Sequence, residues 1–243
     1  FSPPPPLSHA PFSLSFLFPH LTHSYETSHS AHLLLLSVLA SPSLPARVKQ
    51  ALEQEQREVV AKHGTTELTA AALADMPYAD ACSRWCLWTL GPADGIFRRA
   101  IADFELGGKK IKSGEVIYNS FLAAKATDSK VLGAGGLKPG SRLPPPHMDV
   151  NNLAASFAPE RFLGGNGGGG DSSSAPPPLA EPTSVATFGF ANHFCLGAPL
   201  YSMEAKAIVA TLVRGYELRT ADGREPMRYS SSWAATSRSG QRV

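Results

Sequence analysis

Cys195 lies in the stretch that most constrains this chain: Phe188-Gly189-Phe190-Ala191-Asn192-His193-Phe194-Cys195-Leu196-Gly197. The run that follows, Ala198 to Arg214, reads as a helix. A cysteine just ahead of a helix sits at the positive end of the helix dipole, beside free backbone N–H groups. Both effects favour the thiolate over the thiol. A thiolate held in this way is a nucleophile or a metal ligand. No general base can be paired with it by spacing alone. Phe188, Phe190 and Phe194 read instead as the wall of a flat, apolar cofactor pocket.

The rest of the chain supplies no competing chemistry. A formal net charge of +2 over 243 residues, with no basic run or face, argues against a nucleic-acid partner. Cys82, Cys86 and Cys195 are an odd number without secreted-scaffold spacing, which predicts free thiols in a reducing, intracellular compartment. Cys82 and Cys86, four apart on a predicted helix, lack two further ligands at zinc spacing and read as core thiols. Leu33 to Ala40 is too short an apolar run to span a membrane. No Lys or Arg precedes Arg47, so neither a secretory signal nor a transit peptide is expected. The first residue is Phe1 rather than Met, so the chain is expected to be processed or part of a longer one. A membrane anchor on a preceding part stays open.

The periodicity divides the chain. Residues 1–21, with Pro3 to Pro6, read as a Pro-rich, disordered head. Residues 22–243 read as one domain with flexible Gly/Ser/Pro insertions near 133–146 and 164–182. Without head and insertions roughly 190 residues remain, enough to hide about 70% of their surface on folding. Helices are expected from Thr22 to Ala40, from a Ser43 cap through Val60 to a Gly64 stop, from a Thr69 cap to Asp75, and from Tyr78 to Leu90. Short strands follow at Ile96–Ile101, Phe104–Leu106, Lys109–Ile111 and Glu115–Ser120, with Gly107-Gly108 as a hairpin turn.

These pieces, in this order, resemble the cytochrome P450 family. The cysteine stretch matches the family's Phe-x-x-Gly-x-Arg/His-x-Cys-x-Gly pattern at Phe188, His193, Cys195 and Gly197, and departs from it at Ala191. His23-Ser24-Tyr25-Glu26-Thr27-Ser28 resembles the acid–alcohol motif of the family's long helix, with His23 and Ser24 where the family has small residues. Phe157 to Phe162 resembles the Phe-x-Pro-Glu-Arg-Phe segment. One motif is lost. Aligned through Met76-Pro77-Tyr78, the two charged positions of the family's Glu-x-x-Arg helix fall on Trp85 and Trp88. The indoles are expected to pack where an ion network would stand, and Arg161, deprived of its acid, to turn to solvent or backbone carbonyls.

The resemblance implies a mainly α fold with small β-sheets (α+β), the C-terminal, haem-binding half of the cytochrome P450 fold. It implies haem b (iron protoporphyrin IX) with Cys195 as iron ligand, and a monooxygenase that inserts one oxygen atom of O2 into an apolar organic substrate. Glu26 and Thr27 would deliver protons. Arg98 (Arg99 as second choice) and His193 would meet the haem propionates, because a guanidinium fork suits a carboxylate. His23 could crowd the oxygen side or bind iron there. Gly-Ile-Phe-Arg-Arg and Phe-Glu-Leu-Gly-Gly resemble the retinoid-, sterol- and isoprenoid-hydroxylating branch. With no flavin or nicotinamide fingerprint, electrons would come from a separate redox protein. Two rivals stand beside this reading: a degenerate relative with weak or no haem binding, and a non-enzymatic interaction protein resting on the Pro-rich head.

Overall fold

The computed structural model describes residues 18–93, 95–121, 148–150, 152–163, 186–189, 194–220 and 223. The insertions expected near 133–146 and 164–182 lie outside the described residues, as does the head up to residue 17.

Helix α1 spans Phe18–Ala40 and α2 spans Ala46–His63. The first begins four residues earlier than its periodicity predicts, within the segment read as head. It ends where Pro42 follows, since the residue before a proline disfavours the helical conformation. The helix starts later than the expected Ser43 cap would place it. Ser43 N–H instead donates to Ser41 Oγ across the turn (3.1 Å), and Pro45 is the residue ahead of α2. Gly64 closes α2 at φ +64°, a left-handed conformation glycine adopts without steric cost.

Helix α3, Ala70–Ala74, has the expected cap: Thr69 Oγ1 accepts from Ala72 N–H at 3.2 Å. Helix α4 spans Pro77–Leu90. Its proline in the first turn has no N–H to satisfy, and the next two, of Tyr78 and Ala79, donate to the Glu55 carboxylate from α2. That carboxyl is buried, and burial pushes its pKa from 4.5 up to about 7 although both backbone bonds pull the other way.

Strands β1 (Gly95–Arg99) and β4 (Val116–Ser120) pair antiparallel, as do β2 (Phe104–Leu106) and β3 (Lys109–Ile111). The turn between β2 and β3 uses Gly107 and Gly108 at φ +57° and +76°. At Gly95 a side chain has no room, since a Cβ would lie 2.4 Å from the Asn119 carbonyl oxygen. Helix α5 (Leu153–Ser156) and a 3-10 turn (Pro159–Phe162) come next, then a second 3-10 turn (Ala186–Phe188) and helix α6 (Ala198–Gly215).

The core forms where four helices lay apolar stripes together. Ala31, Leu35, Val38 and Leu39 come from α1, and Val48, Leu52 and Val59 from α2. Ala79, Cys82, Trp85 and Cys86 come from α4, and Tyr201, Ala205 and Val209 from α6. The i, i+4 recurrence in each is what an amphipathic helix requires. Helix α4 is the platform, because α1, α6 and the Pro159–Phe162 turn all pack on it. Among the described residues no helix is long and apolar enough to cross a membrane.

Candidate functional site

The cysteine loop enters α6 by a short series of backbone bonds. Cys195 N–H donates to the Phe188 carbonyl at 2.7 Å. The Cys195 carbonyl then accepts from Ala198 N–H at 3.2 Å, and the Gly197 carbonyl from Tyr201 N–H at 2.9 Å. Gly189, at φ +83°, turns the chain after Phe188. Pro199 in the first turn of α6 suits a position with no intrahelical N–H partner. The expected helix start is thus in place, with Cys195 three residues ahead of Ala198.

Exposure separates the three thiols. Cys82 and Cys86 are buried in the core, and burial pushes both thiols up and away from the thiolate. Cys195 is exposed. Beside it, Phe188 is half-buried, with ring centroids 6.3 Å from Phe194 and 6.0 Å from Tyr201. A Cβ at Gly197 would lie 3.7 Å from the Cys195 sulfur, an ordinary van der Waals contact, so Gly197 borders the thiol without crowding it. An exposed soft thiol with an aromatic side wall and no bulk at Gly197 fits the donor chemistry of a haem-iron site. Among the described residues, no group of three or more His, Cys, Asp and Glu is placed to hold a metal ion.

The remaining candidates are placed unevenly. Arg98 is exposed at the end of β1, where Nη1 donates to its neighbour's carbonyl, Phe97 O, at 2.9 Å. Arg99 donates to Gly114 O at 3.0 Å. Thr27 is exposed on α1. Glu26 and His23 lie on the same helix, but their side chains are outside the described part, and His193 lies outside the described residues altogether.

Rings pack at Trp85 and Trp88, as expected. Trp85 and Trp88 are each 1% exposed. Phe157 meets Trp85 edge-on with centroids 4.5 Å apart, and Phe162 meets Trp88 at 6.1 Å. Each such pair contributes about 0.5–1.5 kcal/mol beyond its buried area. Arg161 behaves only in part as expected. It is half-buried, which lowers its pKa, and its Nε is shut off from solvent without a hydrogen-bond partner among the described residues.

The charge pairing of this segment falls on Glu160. Glu160 accepts from Arg47 Nη1 of α2 and from Tyr78 Oη of α4 (2.9 Å), while Arg47 Nη2 donates to Phe157 O at 2.8 Å. The sequence signals Glu160 only as part of the Pro-Glu-Arg-Phe segment. Nothing in the spacing predicts that Arg47, more than a hundred residues away, is its partner.

A family model described as Cytochrome P450 matches residues 152–241. The chain is similar to a mitochondrial cytochrome P450 12b1 of Drosophila acanthoptera, with 24% identity over 85% of this chain and 34% of that protein. It is also similar to an obtusifoliol 14-alpha demethylase of Triticum aestivum, with 25% identity over 68% of this chain and 31% of that protein. Among solved structures, a cyanobacterial CYP120A1 with retinoic acid bound superposes with a TM-score of 0.65 at 22% identity, covering 91% of this chain and 43% of that one. The structure of a CYP102L1 superposes with a TM-score of 0.61 at 21% identity. The chain therefore spans about a third of the length of these curated relatives, and its fold is the partial, helix-rich fold of the solved ones.

Proposed function

The chain belongs to the cytochrome P450 family, and from that premise we propose that it forms the cysteine-bearing part of a haem-thiolate monooxygenase. The observation that carries this reading is the exposed Cys195 thiol, fixed by the Phe188 carbonyl at the entry to α6 while the other two thiols are buried. Members of the family bind haem, and haem b, when bound, supplies the reduction of O2 and the transfer of its oxygen to carbon.

The chain's own residues have separate tasks in this proposal. Cys195 ligates iron through its sulfur, donating electron density. Phe188 and Phe194 supply apolar rings beside the cysteine, against which a flat apolar cofactor could lie. Arg98 and His193 would hold the propionates, since a guanidinium fork suits a carboxylate. Thr27 donates a hydrogen bond from its hydroxyl, and Glu26 connects that hydroxyl to solvent protons. Electrons arrive from a separate donor protein.

The substrate is an apolar organic molecule. The isoprenoid, retinoid or sterol class is favoured by the strand motifs, by the demethylase that acts on obtusifoliol and by the relative that binds retinoic acid.

A second reading, a relative that has lost haem, is favoured by the indoles at Trp85 and Trp88 and the unpartnered Arg161 Nε. Haemin titration of the purified chain separates the two. Uptake of one equivalent, lost in Cys195→Ser, is expected. No uptake by the wild-type chain would sink the first reading and leave the second.

A further inference from the structure

Among the described residues, the backbone contact that ties Cys195 back to the chain before it is its N–H, donated to the Phe188 carbonyl, so what holds Phe188 bears on the loop. The Phe188 ring leans on Tyr201, centroids 6.0 Å apart. Tyr201 is 5% exposed in the first turn of α6 and is fixed from three sides. Its hydroxyl accepts from Ser83 Oγ of α4 at 3.0 Å. Its ring stacks on His32 of α1, with centroids 5.0 Å apart and planes 14° from parallel. Its own N–H donates to Gly197 O, two residues beyond the cysteine. His32 Nε2 lies 3.9 Å from Glu204 Oε2 of α6, too far for a hydrogen bond, so the stacked ring and not this carboxylate is what His32 brings to Tyr201.

We propose that Tyr201 is the positioning residue of the cysteine loop: its ring, clamped between His32 of α1 and Ser83 of α4, seats Phe188 and through it the Cys195 thiol. This deepens the reading of Cys195 as an iron ligand and rests on it for its meaning, although the contacts themselves need no haem. Tyr201 stands where three elements meet, so it also couples the acid–alcohol helix α1 to the cysteine helix α6. A phenyl ring can seat Phe188 without the hydroxyl, so the ring, not the bond to Ser83, is the determinant.

The test uses the haem-free chain. Iodoacetamide should label Cys195 alone, because Cys82 and Cys86 are buried. In Tyr201→Leu the labelling rate of Cys195 is expected to change several-fold with no label on Cys82 or Cys86. Tyr201→Phe should restore the wild-type rate, and His32→Ala should change it less than Tyr201→Leu. If Tyr201→Leu does not fold, Phe188→Leu replaces it with the same expected change. An unchanged rate in the leucine variant overturns the proposal. So does labelling of Cys82 and Cys86 as well, which marks a general loosening, and so does a phenylalanine variant as fast as the leucine one. Failure of haemin uptake by the wild-type chain would remove the iron-ligand reading and leave the labelling result standing.

Discussion

Helix α4 and the cysteine loop solve opposite problems. Around α4 everything is closed: Trp85, Trp88, Cys82 and Cys86 are buried, and Phe157 and Phe162 lie edge-on against the indoles. At the loop the reactive atom is open, with Cys195, Phe194 and Leu196 all exposed. The difference shows what each region can lose. A buried ion network can give way to rings of adequate volume, since packed apolar groups avoid the desolvation cost of two charges. An exposed sulfur has no such substitute, because its worth lies in its chemistry and not in its packing.

The largest effect should come from breaking the closed region. Trp85→Ala removes an indole and its contact with Phe157, and is expected to cost about 3–5 kcal/mol in urea unfolding. A loss below about 1 kcal/mol would mean that the indole of Trp85 is not a tightly packed part of the core.

Next comes the pH dependence of the α4 cap. Glu55 has its pKa raised to about 7, so between 4.5 and about 7 the folded state holds a proton that the unfolded state has released. Stability should therefore fall as pH rises through that window, by about 1–3 kcal/mol, and level off above it. Glu55→Gln should flatten the profile, and an equal slope in that variant would assign it elsewhere.

Glu160→Ala removes the acceptor of Arg47 Nη1 and Tyr78 Oη and should cost about 1–3 kcal/mol, whereas Arg161→Met should cost less because its Nε has no partner among the described residues to lose. Comparable losses at both positions would return the ionic role to Arg161. The smallest change in stability is expected at the open region. Cys195→Ser should stay within about 0.5 kcal/mol of wild type, as exposed substitutions generally do, while removing haem uptake.

Much of this was legible before any coordinates. Gly64, Thr69 and Gly107-Gly108 mark their helix stop, cap and turn because local chemistry decides them. The start of α6 follows from the same kind of signal, with Gly197 and Pro199 flanking its first turn. Long-range partners were not legible. Ser43 looked like a cap but found Ser41 instead, and Glu55, which caps α4 from another helix, carries no local mark. The roles of Arg47 and Tyr201 depend on which helix faces which, and one-dimensional spacing does not contain that. The resemblance reached Phe188, Cys195 and Gly197, which the structure brings together. Arg98 and Thr27 are surface positions whose purpose rests on the proposal.

The account stands on Cys195 as a thiolate ligand, and the reduced carbon-monoxide spectrum of the haemin-loaded chain tests it most directly. A thiolate-type Soret band in the wild type that disappears in Cys195→Ser is the predicted result. A haem-loaded wild type without that band, or with a band unchanged in Cys195→Ser, would contradict it.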